Sequence, residues 1–193
     1  MIVTPIDHGI ELAKNAPGYV RSPGLHVSQI YNDLYTSLEP KRYGGTDGPN
    51  LLRMELGLAL EEGLEEPLKR RWGATRPGEQ ITKDGIIYTP DFLAYRDVTR
   101  LGEIKLTWMS SKGVPREKAN GFPPKFDKYM TQMMFYCHEL ETPHATLLSY
   151  FVNGAGNYSG PELLGWDITF TARELHDCQQ MLRNHARHKG WLK

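Results

Sequence analysis

Gly85-Ile86-Ile87-Tyr88-Thr89-Pro90-Asp91-Phe92-Leu93-Ala94-Tyr95 and, beyond Arg96-Asp97-Val98-Thr99-Arg100, Leu101-Gly102-Glu103-Ile104-Lys105-Leu106 decide how this chain folds. Residues 86–88 and 92–95 are short runs rich in β-branched and aromatic side chains, which suit a pleated surface, so both read as strands. The polar segment 96–100 supplies a turn, and 101–106 makes a third strand. Side chains alternate across a strand, so Glu103 and Lys105 share one face. Asp91 stands at the mouth of the preceding strand, directly after Pro90.

Two carboxylates and an ammonium in apolar sequence are costly where strands meet, because buried charges must be paired or bind metal. A hard divalent cation such as Mg²⁺ takes one or two protein carboxylates and completes its shell with waters and phosphate oxygens, which suits Asp91 and Glu103. Lys105, one pleat past Glu103, would face a water attacking phosphorus. The plain alternative is an exposed hairpin carrying an ordinary Glu–Lys pair. Glu-x-Lys alone says little, but Pro-Asp at a strand start, twelve positions before it in hydrophobic sequence, is a rarer combination.

Pro90-Asp91 and Glu103-Ile104-Lys105 together resemble the PD-(D/E)XK nuclease superfamily, and within it the RecB-like and lambda-exonuclease-like (YqaJ-type) branch. Members place a metal-binding Asp at the start of one strand and Glu-x-Lys on the next. The resemblance implies an α/β fold with a restriction-endonuclease-like core (αβββαβ) and a mixed central sheet flanked by helices. It implies Asp91 and Glu103 as metal ligands, the backbone carbonyl of Ile104 as a further ligand, and Lys105 as the catalytic lysine. Mg²⁺ is the expected cofactor, with Mn²⁺ substituting.

Upstream, residues 51–72 are dense in Leu, Glu and Arg and predict a long helix, with Pro67 kinking or dividing it. At helical spacing Met54, Gly57, Glu61, Leu64 and Leu68 share an apolar face with one acid on it, whereas Glu62 falls with Glu55, Leu58, Glu65 and Lys69 on a solvated side. In the resembled branch a Gly-x-x-x-Glu on this helix supplies a metal ligand, and Gly57-Leu58-Ala59-Leu60-Glu61 has that form. The other reading of Glu61 is an acid at the edge of an amphipathic stripe. Residues 1–50 are punctuated by Pro17-Gly18, Pro23-Gly24, Gly44-Gly45 and Gly48-Pro49, and read as a flank or lid. Within them Ser28 is the expected cap of a helix through Leu38, with Ile30, Leu34 and Leu38 on its apolar side.

Downstream, Trp108 opens a long loop, and 112–128 holds Lys112, Arg116, Lys118, Lys125 and Lys128 against Glu117 and Asp127. Such loops often bind ligands. Arg116, Lys118, Lys125, Lys128, Trp108 and Tyr136 are the candidate DNA contacts, with a plain solvated surface as the alternative. A helix is expected over 125–140, and Gln132-x-x-x-Tyr136 resembles the Gln-x-x-x-Tyr found after Glu-x-Lys in RecB-like enzymes, where the Gln serves the catalytic region or DNA. Residues 145–152 and 163–170 read as strands. Thr171-Ala172-Arg173-Glu174 is a capping box for a last helix, at whose end His185 and His188 read as solvated.

With 193 residues, 22.0 kDa and 39% hydrophobic residues, the chain is most simply one nuclease domain, with the catalytic core at 51–152 and a terminal strand and helix at 153–193. No apolar run reaches membrane-spanning length and the start lacks a signal pattern, so a cytoplasmic protein is expected. Cys137 and Cys178 stand alone, which argues against a disulfide scaffold, a zinc ribbon or an iron–sulfur cluster. The formal net charge is zero, where a nucleic-acid binder is usually basic, but bound divalent ions add charge that a sequence count omits.

The expected function is divalent-metal-dependent hydrolysis of DNA phosphodiester bonds, with Lys105 orienting or helping to deprotonate the attacking water. The resemblance leans towards an exonuclease of phage or prophage recombination, with a homo-oligomer or a single-strand-annealing partner protein in prospect. A nicking or structure-specific endonuclease, and a non-cleaving DNA- or protein-binding module of the same fold, remain open at this point.

Overall fold

The computed structural model describes residues 1–7, 23–43, 51–75, 80–96, 98–156 and 160–193, with backbone alone for 51–55. Pro17-Gly18, Gly44-Gly45, Gly48-Pro49, Asp97 and the side chain of Met54 lie outside the described residues. In chain order the elements are β1 (Ile2–Ile6), β2 (Leu25–His26), α1 (Val27–Leu38), α2 (Pro40–Tyr43), α3 (Leu51–Trp72), β3 (Ile81–Lys83) and β4 (Ile86–Tyr88). Then follow β5 (Phe92–Tyr95), β6 (Thr99–Thr107), a 3-10 turn at Pro124–Phe126, α4 (Asp127–Glu139), β7 (His144–Phe151), β8 (Glu162–Thr169) and α5 (Ala172–His188).

The central sheet has five strands in the order β1-β8-β7-β6-β5, parallel between β6 and β7 and antiparallel elsewhere, so it is mixed. A parallel pair requires a crossover longer than a hairpin, and α4 provides it. Strand alternation sends the core to both faces. Leu101 of β6 and Leu147 of β7 pack with Met133 of α4, Leu182 of α5 and Ile30 of α1. Ile104, three residues past Leu101, and Leu148, one past Leu147, face the other way and pack instead with Leu60, Leu64, Leu68 and Trp72 of α3. That four-residue spacing makes a single buried stripe, and each fully buried Leu contributes about 1.5–3 kcal/mol.

Helix α3 runs through Pro67 without dividing, and the residue four earlier, whose carbonyl a proline ring crowds, is Gly63. It ends at Gly73, which takes φ +61° and donates its N–H to the Lys69 carbonyl at 2.9 Å, the left-handed cap that glycine tolerates best. Helix α5 opens with the expected capping box, Thr171 and Glu174 each bonding the other's backbone N–H.

Three expectations need correction. Residues 86–88 form a strand, but β4 belongs to a separate three-stranded sheet, parallel to β2 and antiparallel to β3. Pro90 lacks the N–H a continuing ladder would need, so the chain breaks between β4 and β5. Four strands, not the expected three, stand between the helices, in the order α3, β3, β4, β5, β6, α4, β7; β3 is added and β4 lies outside the central sheet, an arrangement consistent with a restriction-endonuclease-like core. Second, the described part of 1–50 is no lid: β1 is an edge strand of the central sheet, and Val3, Val27 and Ile30 are fully buried. Third, α1 begins one residue before Ser28, with His26 at the cap position and no side-chain cap bond. Among the described residues no helix is long and apolar enough to cross a membrane. Cys137 and Cys178 are buried and unpaired, and burial pushes the Cys178 thiol up to about 12.

Candidate active site

Strand β5 pairs with β6 only as far as Phe92 opposite Gly102, so the β6 edge from Glu103 onward has no β5 partner. The side chain of Asp91 takes its place: the Ile104 N–H donates to Asp91 Oδ2 at 2.6 Å. A residue's N–H and C=O leave a strand on the same edge, so the Ile104 carbonyl emerges beside Asp91. Gly102 makes this approach possible. A Cβ there would lie 2.2 Å from the Phe92 ring, so any other residue would push Phe92, and Asp91 with it, away from β6.

Glu103 is completely buried, while the Lys105 side chain keeps 20% exposure on the same face. Lys105 Nζ donates to Glu103 Oε1, and so does Gln132 Nε2 at 2.6 Å from α4. The second Gln132 N–H goes to the Tyr136 hydroxyl at 3.0 Å, and its carbonyl oxygen accepts from the Tyr31 hydroxyl at 3.0 Å. Every polar group of this amide is thus satisfied. Glu103 Oε2, by contrast, is buried without a hydrogen-bond partner.

Burial, then the negative charge of Asp91, push the Glu103 carboxyl up to about 8, against the pull of Lys105; Glu61 adds a smaller upward push. Burial pulls the Lys105 ammonium down, but the charges of Glu103 and Asp91 outweigh it, and the net shift is well upward. Lys105 is therefore held as a cation. In that form it supplies positive charge to the metal-free site.

Glu61 lines a cleft between α3 and the β5–β6 edge, together with Asp91, Ile104, Phe92 and Glu65. Glu65 is exposed, as expected of the solvated side of α3, and stands four residues from Glu61 at the edge of the cleft. Glu62 is not part of the cleft lining. Among the described residues no three or more His, Cys, Asp or Glu side chains are gathered into a ready metal cluster. Asp91 and Glu103 meet at the β6 edge, and Glu61 joins them only as a lining residue of the cleft.

The expected DNA contacts divide. Tyr136 is 4% exposed and locked in the Gln132 network, so it is a support rather than a DNA contact. Lys125 Nζ is committed to the carbonyls of Ser110 and Lys112, which fastens the loop after β6. Lys128 bonds Asn32 at 3.0 Å and lies 4.6 Å over the Tyr43 ring. Arg116 pairs with Glu162 at 2.9 Å, at the start of β8 and two strands across from Thr107, on the order of 10 Å. Lys118 is exposed, and Trp108 is half-buried with its carbonyl accepting from Asn153 at 3.2 Å. His185 is no solvated residue: its Nε2 lies 2.8 Å from Asp33 of α1, and its side chain is 11% exposed.

No protein-family model matches the chain, and no curated protein matches it. Two solved structures superpose on most of it. One, described as the crystal structure of SSO0001, is 16% identical with a TM-score of 0.51, over 89% of this chain and 80% of the other. A second, described as LHK-Exo in complex with dAMP, is 16% identical with a TM-score of 0.49, over 86% of this chain and 87% of the other. At this level of identity the likeness to the first is one of fold.

Proposed function

We propose that this chain is a divalent-metal-dependent nuclease that hydrolyses DNA phosphodiester bonds. The observation that carries the reading is Glu103: one oxygen fixed by Lys105 and Gln132, the other buried with no hydrogen-bond partner, and a second carboxylate, Asp91, close enough to disfavour its charge. A buried acid left this way is expensive unless a cation completes it. Asp91, Glu103, the Ile104 carbonyl and, across the cleft, Glu61 offer only hard oxygen donors, which fits Mg²⁺ and its usual small share of protein carboxylates. When bound, the ion supplies Lewis-acid charge and makes a coordinated water more acidic.

The chain's own residues do the rest. Asp91 is anchored by the Ile104 N–H, and Glu103 by Gln132, so both acids are held before substrate arrives. Lys105, partly exposed on the Glu103 face, places a fixed ammonium where charge builds on phosphoryl oxygens. Lys105 orients the hydrolytic water or helps to remove its proton, which ends on solvent or on the leaving oxygen.

The test is incubation with linear, circular and single-stranded DNA in Mg²⁺ and Mn²⁺. Cleavage by the wild type that disappears in Asp91→Ala supports the reading; DNA left whole under every condition overturns it.

A further inference from the structure

We infer that Tyr31, on α1, is a positioning residue for the same site, acting through Gln132 on Glu103. The inference rests on the nuclease reading and adds a residue that no motif marks. A primary amide has two donors and one acceptor, and its two ends point opposite ways. In Gln132 the two donors are spent on Glu103 Oε1 and the Tyr136 hydroxyl, and the one acceptor is filled by the Tyr31 hydroxyl. Gln132 itself is 7% exposed, so water does not readily replace a lost partner.

Removing the Tyr31 hydroxyl leaves a buried carbonyl oxygen unsatisfied in the orientation that serves Glu103. Turning the amide over to relieve it aims that oxygen at the Glu103 carboxyl and withdraws the N–H. Either way the carboxylate loses its support. Tyr31 also lies close to Lys105, so α1 closes the site on the side opposite α3. Because Tyr31 is only half-buried, deleting one oxygen from it leaves the helix packing in place.

The experiment compares wild type, Tyr31→Phe, Gln132→Leu and the double variant by calorimetric Mn²⁺ titration, by single-turnover cleavage at saturating DNA, and by thermal unfolding. Tyr31→Phe should lower both Mn²⁺ affinity and cleavage rate about tenfold, the lower end of losses for groups that orient a metal ligand, with DNA affinity in Ca²⁺ unchanged. In the Gln132→Leu background the same change should cost almost nothing more, since the chain it acts through is already cut. If the wild type binds Mn²⁺ and cuts, but Tyr31→Phe matches it or multiplies the Gln132→Leu loss, the inference falls and the nuclease reading stands. If the wild type neither binds Mn²⁺ nor cuts, that reading falls and takes the inference with it.

Discussion

Among the described residues two glutamates are buried, Glu103 and Glu139, and the charges around them balance differently. Glu139, at the end of α4, has Arg183 of α5 at 3.2 Å and Lys83 of β3 at 3.3 Å, while Asp84 adds a second acid to Arg183 at 3.0 Å. Its Oε2 makes no hydrogen bond, but it is the oxygen that Lys83 approaches. Glu103 also has an oxygen without a hydrogen bond; Lys105 pairs with its other oxygen, and Asp91 and Glu61 add two acids against that one cation. One cluster is neutralised by the chain itself and ties α4, α5 and the small sheet together. The other carries an excess of acid at a strand edge, beside a cleft. A closed ion network is a structural device; an acid left incomplete is where a cation and a substrate belong.

The sharpest way to break that contrast is to exchange the roles. Glu103→Gln should reduce cleavage by at least about 10³-fold, taking the loss of a preorganised charge as a lower guide, while leaving metal-free stability equal or higher. Arg183→Met should leave cleavage within a small factor but cost about 3 kcal/mol of stability by stranding a buried charge. Cleavage assays and denaturant melts of both variants read this directly, and a matched loss in both assays for both variants would erase the distinction.

Lys105→Ala comes next. A cation that acts mainly in the transition state should cost about 10²-fold to 10³-fold in single-turnover rate with little change in DNA affinity. Normal cutting would make Lys105 a bystander. On α3, Glu61→Gln should weaken metal-dependent cleavage about 10-fold to 100-fold, and Glu62→Gln much less, because of these two Glu61 is the one that lines the cleft. The reverse ranking would move the helix acid. The smallest effect is expected for Arg116 and Lys118: neutralising both should flatten the plot of log DNA affinity against log salt by no more than about two units, and an unchanged slope takes the DNA path elsewhere.

What the sequence made legible was local. Pro90-Asp91, Glu103-Ile104-Lys105, Leu64 and Leu68 of α3 and the Thr171–Glu174 box all announce themselves through spacing within one element and stand where expected, whereas the buried stripe of α3 continues through Leu60 and Trp72 and not through Gly57 and Glu61. Partner choice was not legible. A three-residue strand such as β4 carries no record of whether it pairs with β5 or with β2, which lies some sixty residues earlier. The approach of Asp91 to Ile104 depends on a glycine with a phenylalanine ring across it, and neither residue looks catalytic. Tyr31 meets Gln132 across 101 positions, and Lys125 turns inward to its own loop, choices that only the packed chain makes.

The central claim is that Glu103 awaits a divalent cation, and the most direct test is Mg²⁺-dependent thermal stability as a function of pH. The Glu103 carboxyl is raised from the ordinary 4.5 to about 8, so the metal-free fold holds its proton through that window while the unfolded chain does not. Stability from this group is therefore full below about 4.5 and lost as pH rises through about 8. The ion needs the carboxylate and releases the proton, so Mg²⁺ should raise the melting temperature increasingly from pH 5 to pH 8 in the wild type, and not at all in Glu103→Gln. Equal Mg²⁺ stabilisation of both proteins, or none in the wild type at any pH, would contradict it.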